Sequence, residues 1–381
     1  ATPWPDRAFR YFETNGIVLA DIGASLTLTA AAHSREAIAL RAVFQDGFYV
    51  DAVNGNDANS GLETNVPLKT LQAGVRLALA GDTVRVAPGT YSEGFAVLSV
   101  TGLASRIAIT NAITVRSLQG AAKTFIVGAR SLNANGCGSD AVRCVFMSTG
   151  TLQGFTLTGG ATDTPGGSTG EDYGGGVSAV QNSSAQLIDC VISNNIAYTK
   201  GAGASMATLH RCWIADNAIV VAGSGGFASG VRGGEAYDSV VVNNSGPSPI
   251  AYANLYGVTA VNSTPVLTST AYNSILVRTT DGNSYTSSDT GRKVTSCCLT
   301  GALSADNNGG GNVFSAPLFI NPAGLDFRLH VKSPCVNSGN SSWGPGRLGL
   351  DYAGATRIQG AQIDMGAYEG GIGGVLVHAG I

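Results

Sequence analysis

The strongest constraint on this chain is a motif written three times between residues 174 and 244. Residues 187–195 (LIDCVISNN), 209–217 (LHRCWIADN) and 236–244 (AYDSVVVNN) align position by position, each a short strand ending in an amide-rich turn. The steps from Cys190 to Cys212 and on to Ser239 are 22 and 27 residues, a period typical of solenoids. A unit this small cannot bury its own apolar face, so it must stack on its neighbours. The Gly-rich loops Gly174-Gly175-Gly176 and Gly201-Ala202-Gly203 suit stacked parallel strands. No leucine-rich or helical repeat consensus is present. The expected fold is all-β, a parallel β-helix of roughly ten coils at about 20 to 30 residues per coil.

Stacking turns sequence repeats into vertical columns about 4.8 Å apart. Cys190, Cys212 and Ser239 then form a column of small side chains, and Asn195, Asn217 and Asn244 an amide ladder. Asn tolerates the left-handed backbone that a sharp corner needs, and stacked amides satisfy one another. These Asn residues read as scaffold.

Composition supports a turn-rich β chain: 53 of 381 residues are Gly and only 12% are charged. A net charge of −3 with no basic run argues against a nucleic-acid partner. No apolar stretch approaches the roughly 20 residues that span a bilayer. The chain opens without a charged and apolar leader, so the expectation is a mature form or one made without a signal. Seven cysteines are present, none in the paired spacing of a zinc site. Cys137 and Cys144 bracket a short polar loop and are expected to close it as a disulfide. Cys298 and Cys335, with Cys297 as the competing partner, are candidates to staple the C-terminal region. Cys190 and Cys212 are expected to stay reduced in their column. This usage favours an oxidising, extracytoplasmic location.

Along the chain, residues 1–46 read as a small β-rich segment. Residues 25–30 alternate as a strand does and residues 37–44 are a second strand candidate. They resemble, faintly, the surface repeats of internalin-type bacterial proteins; an appended helix-capping piece is the alternative. Residues 49–61 run from a strand into a loop of Asp and Asn. Counting from Asp51, the twelfth position of a calcium loop holds Leu62, so turn scaffolding is the preferred reading. Over residues 67–79 the spacing of Leu68, Leu71, Val75 and Leu79 predicts a helix that lids the end of the stack.

Residues 49–61, the helix after Pro67 and residues 81–91 (GDTVRVAPGTY) together resemble the opening of secreted bacterial right-handed parallel β-helix proteins of the pectate-lyase-like superfamily. Residues 316–319, 326–329, 333–335, 351–352 and 363–369 resemble their closing segment. The resemblance spans residues 49–369 and implies a right-handed β-helix over 47–370, with a tail at 371–381. Further coils are expected at residues 112–115, 125–127, 152–157 and 271–277. The polar inserts 159–172 and 281–293 are expected to line a binding face.

Aligning the repeats also aligns outward residues. Ile188, His210, Tyr237 and Tyr272 share one column; Asp189, Arg211, Asp238 and Asn273 a second; Val191, Trp213, Val240 and Ile275 a third. The resemblance implies an Arg or Lys base beside a uronate carboxylate, a Tyr acid, and acidic residues holding calcium. Arg211, His210, Tyr237, Asp238 and Asp189 are the catalytic candidates. In a hydrolase Asp189 and Asp238 would be acid and base. Trp213, Tyr272, Glu171 and Asp172 are the substrate-binding candidates. No dedicated metal site is read from the residues, and calcium is the cofactor the resemblance allows. The structural alternative makes Asp189, Arg211 and Asp238 an ion-pair ladder and the Tyr residues an aromatic stack. No Gly-His-Gly motif or clustered Asp pair of the polygalacturonase type occurs. Two functions follow: an extracellular polysaccharide lyase or glycoside hydrolase acting on a plant, algal or host glycan, or a non-catalytic surface adhesin or glycan-binding protein. In both, the partner is a polysaccharide.

Overall fold

A computed structural model describes residues 8–14, 17–19, 40–45, 47–97, 102–164, 172–221, 228–343 and 349–370. Three sheets of ten, nine and nine strands run along one axis. The first runs from Phe48–Val50 to Val294–Thr295, the second from Gly89–Tyr91 to Cys298–Leu299, the third from Ala96–Val97 to Tyr285–Thr286. Pairing is parallel throughout, except where Ala96–Val97 meets Ala104–Ile109. Each coil supplies one strand to each sheet, and the result is the right-handed parallel β-helix expected from the sequence.

The alternation of the repeats explains the interior. In the first sheet Leu152, Leu187, Leu209, Ala236 and Leu255 are in register and fully buried. Leu157, Ile192, Ile214 and Val241 do the same in the second. A buried Leu or Ile contributes about 1.5–3 kcal/mol, so the column outweighs anything the polar exterior adds.

The corner between the first and second sheets is two residues long. Its first residue is left-handed: Gly154 (φ 77), Asp189 (φ 54), Arg211 (φ 50), Asp238 (φ 48), Gly257 (φ 63) and Asn273 (φ 49). Its second points inward, which stacks Cys190, Cys212 and Ser239 as expected; the Cys212 amide donates to Ser239 Oγ at 3.0 Å. At the next bend Asn195, Asn217 and Asn244 also form the expected ladder, joined by Nδ2–Oδ1 bonds of 3.0 Å. Asn262 extends it by one coil. The left-handed residues there are Asn194, Asp216 and Asn243, one position before the ladder. The ladder amides therefore serve to satisfy buried backbone, and their neighbours make the turn.

The sequence reading passed over two coils. One is formed by Asn254–Tyr256 and Thr259–Asn262, with Gly257 at the corner where the repeats carry Asp or Arg, and the other by Val294–Thr295 and Cys298–Leu299. The helix is shorter than expected, Leu71–Leu77, capped by Thr70. Leu68, Leu71 and Val75 are buried but Leu79 is 61% exposed, because the chain leaves the helix at Ala78 (ψ 133) and its Leu79 amide bonds Asp82. Near the N-terminus, Ala8–Thr14 pairs antiparallel with Ile17–Leu19 and with Leu40–Gln45. The latter is the strand expected at 37–44; the one at 25–30 lies outside the described residues, as do Glu171 and residues 371–381.

All seven cysteines are free and buried. The expected Cys137–Cys144 disulfide is corrected: Cys144 Sγ faces Asn195 Oδ1 at 3.4 Å, whereas Cys137 Sγ faces Thr162 at 3.9 Å. The two thiols belong to different clusters, one inside the coil and one outside it. Cys298 and Cys335 sit thiol to thiol in one cluster and are unbridged.

After the last coil the chain folds back as an arm. A hairpin of Phe319–Asn321 and Asp326–Leu329, then residues 333–343 and 349–370, pack against the outside of the second sheet. Phe327 and Ala367 cover Val240, Val242 and Val261. The Ala367 amide donates to Thr259 Oγ1 at 2.9 Å, and Asn273 exchanges two hydrogen bonds with the backbone of Asn340.

Candidate functional site

The expected patch around Arg211 is assembled, but largely beneath this arm. Arg211 grips Asp189 with two bonds, Nε–Oδ1 2.8 Å and Nη2–Oδ2 3.0 Å. Asp238, one coil on, turns away from Arg211 to Arg357 of the arm, at 3.0 Å from Nε. Arg357 is fully buried, also meets Glu369 at 3.3 Å, and donates to the carbonyls of Asp364 and Gly366. Burial pushes the Asp238 carboxyl up to about 7 and that of Glu369 to about 8, against the pull of Arg357. Trp213 lies between Phe327 and Tyr352, with centroids 6.1 and 5.9 Å away. Asp238 and Trp213 bind the arm to the coils.

His210 and Tyr237 lie in the neighbouring column, where register adds the missed Tyr256. Five rings stack in sequence: His210–Tyr237 4.9 Å, Tyr237–Tyr256 4.8 Å, Tyr256–Tyr272 5.4 Å and Tyr272–Trp343 4.2 Å. His210 and Tyr237 are buried. Asp172, in a different region, accepts from the Thr199 hydroxyl.

Open space lies on the other side of this stack. The turn from the third sheet to the first borders a groove of about 510 Å³. Gln186, Thr208, Glu235 and Asn254, outward residues in register on four coils, line its length. At about 4.8 Å per coil they extend about 14 Å. Met206, Gly233 and Tyr252 (φ 60–62) turn the corner beside them. A Cβ on Gly233 would stand 2.5 Å from Met206 Sδ, so a side chain there would have to displace the Met206 thioether. Residues 181–184 border one end and Arg292, from the insert at 281–293, also lines the groove. Tyr237 joins stack to groove, its hydroxyl donating to Glu235 Oε2 at 2.9 Å. Glu235 and Arg292 are the only charged lining residues among the described residues. The remainder offers hydroxyls, amides and two apolar surfaces, a lining matched to polyhydroxylated ligands.

None of Gln186, Thr208, Glu235, Asn254 and Arg292 stood out in sequence, because their column lacks a recurring residue type. What could have located them was the position two residues before the aromatic column.

Calcium does not fit the carboxylates present. Asp51 bonds the amides of Val53 and Asn54, and Asp57 those of Lys69 and Thr70; Asp189 and Asp238 hold Arg. Among the described residues no three His, Cys, Asp or Glu converge as metal ligands. Nor is any helix there long and apolar enough to cross a membrane.

Residues 53–97 match a family described as a protein of unknown function (DUF1565). No curated protein matches the chain. Among solved structures, pectate lyase Pel9A is 14% identical, covering 84% of this chain and 96% of its own, at a TM-score of 0.45. A rhamnogalacturonan lyase is 13% identical, covering 72% and 90%, at 0.36. Pectin methylesterase PemA from Erwinia chrysanthemi is 11% identical, covering 69% and 67%, at 0.31. The parallel β-helix expected from the sequence is the fold observed. A shared scaffold does not carry a shared reaction, so chemistry is read from the groove.

Proposed function

We propose that this chain is an extracellular β-helix protein that takes a polysaccharide into the groove lined by Gln186, Thr208, Glu235 and Asn254. The supporting observation is a polar column four coils long, open to solvent beside a stacked aromatic wall. Amides and hydroxyls there match sugar hydroxyls, and the regular spacing suits a polymer better than a compact metabolite. A secreted or surface location belongs to the same proposal. Asp238 and Trp213 act in it as fasteners of the arm, and Arg211 and Asp189 as an ion pair between neighbouring coils.

Cleavage of the bound chain is the second reading, favoured by the Glu235–Tyr237 hydrogen bond at the groove. A carboxylate joined to a phenol gives two groups able to move a proton at one point. One carboxylate lacks the partner that hydrolysis usually uses, so elimination is the cleavage reaction this pair suits.

The test is incubation with a panel of polysaccharides, following retardation in glycan-containing native gels, new reducing ends and the absorbance of unsaturated products. Retardation alone supports a binding protein, and unsaturated products that vanish in Glu235→Gln support elimination. Free migration through every glycan tested would overturn the proposal.

A further inference from the structure

Outside the groove, three coils bring cations around one phenol. Lys200 Nζ lies 4.7 Å and Arg232 Cζ 4.8 Å from the centroid of the Tyr173 ring. Lys200 also donates to the Tyr173 hydroxyl at 2.8 Å, and Arg143 Nη2 to the Tyr173 carbonyl at 3.2 Å. Tyr173, Lys200 and Arg232 are all half-buried. No carboxylate among the described residues forms an ion pair with Lys200 or Arg232. Arg232 Nε is enclosed and has no hydrogen-bond partner among the described residues. The nearby Asp172 carboxylate accepts from Thr199.

Two cations held over one ring repel each other, and the repulsion is stronger half-buried than in water. Attraction to the ring face offsets part of it. An oxyanion would remove the rest, because a guanidinium presents a planar fork to carboxylate or sulfate while an ammonium adds a point charge. Arg232 directly precedes Gly233 and Gly234, which line the groove. The backbone of Arg232 therefore stands at the edge of the groove.

We propose that Lys200 and Arg232, held by Tyr173, form a subsite for an oxyanion, a sulfate ester or a carboxylate, carried by the polysaccharide in the groove. This rests on the glycan reading above and names the charge class of the glycan.

The test is affinity electrophoresis of the full chain in gels containing a sulfated galactan, a polyuronate or an uncharged glucan, at one ionic strength. Wild-type protein is expected to respond to at least one polyanion at a tenfold lower concentration than to the glucan. The two charged gels distinguish sulfate from carboxylate. Lys200→Ala/Arg232→Ala is expected to abolish that preference while leaving glucan retardation unchanged. Lys123→Ala/Lys332→Ala, which removes equal charge at exposed sites, is expected to keep it. Circular dichroism and melting confirm that each variant is folded. If wild-type protein binds charged and neutral glycans alike, or both double variants behave alike, the subsite is refuted and the groove stands. If no glycan retards the wild type, both fall.

Discussion

The outer faces of the first and second sheets are built from the same coils, yet one is open and the other is covered. On the second sheet Trp213, Val240, Val242 and Val261 point outward and lie beneath Phe327, Tyr352 and Ala367. On the first, Gln186, Thr208, Glu235 and Asn254 point outward and border open space. Strand geometry is the same on both, so side-chain chemistry decides. An apolar outward column needs a cover; a polar one can remain in water. The covered face should therefore govern stability and the open one ligand binding, and substitutions can separate the two.

The largest effect is expected on the covered face. Arg357→Ala leaves Asp238 and Glu369 buried without their cation, a loss of about 3–5 kcal/mol. A lower melting temperature and early proteolysis within residues 317–370 are expected, with glycan retardation of the folded protein unchanged. An unchanged melting temperature would show that the arm is fastened elsewhere.

Next is the ladder at the bend that follows the second sheet. Asn217 Nδ2 donates to Ile192 O, Ala215 O and Asn244 Oδ1, and its Oδ1 accepts from Asn195. Asn217→Ala strands several of these groups, at about 1–3 kcal/mol for each one left unsatisfied. Chemical denaturation should show a loss of at least the lower figure, in a protein that still binds when folded.

A pH series tests the same fastening without mutation. The folded carboxyls of Asp238 and Glu369 titrate at about 7 and about 8, whereas unfolded ones titrate near 4. Between these limits the folded state holds protons that the unfolded state releases, so stability falls as pH rises from about 4 to about 8. Asp351 and Asp364, also raised by burial beside Arg357, act in the same direction. Melting temperature should decline across this window, and Asp238→Asn should flatten the decline. A rise would show that pairing with Arg357 outweighs the burial of these carboxyls.

The smallest stability effect is expected in the groove. Asn254→Ala removes a half-buried side chain at the edge of the groove; it should change stability by no more than about 0.5 kcal/mol while weakening glycan retardation severalfold. A large stability loss would mean the groove column is structural.

The fold was legible in sequence because a stacked solenoid repeats its inward residues: Leu187, Leu209 and Ala236 recur, as do the ladder Asn residues. The coil at Asn254–Tyr256 was missed since Asp238, Gly257 and Asn273 are only 19 and 16 residues apart, shorter than the preceding steps, with glycine at the corner. The aromatic column was read in part, Tyr256 excepted. The groove was not legible, for its residues share an orientation and not a residue type. Charged outward residues drew attention to Arg211 and Asp238, but the cover over them comes from Arg357, more than a hundred positions later. Sequence alignment of the coils carries no information about what a distant arm lies upon.

The most direct test of the division between the faces is glycan affinity electrophoresis and thermal melting on one pair of variants, Glu235→Ala/Asn254→Ala and Arg357→Ala. The expected result is lost retardation at near wild-type stability for the first, and lost stability with retained retardation below its melting temperature for the second. Retardation surviving the groove substitutions but abolished by Arg357→Ala in folded protein would contradict it, and would return the binding site to the covered patch.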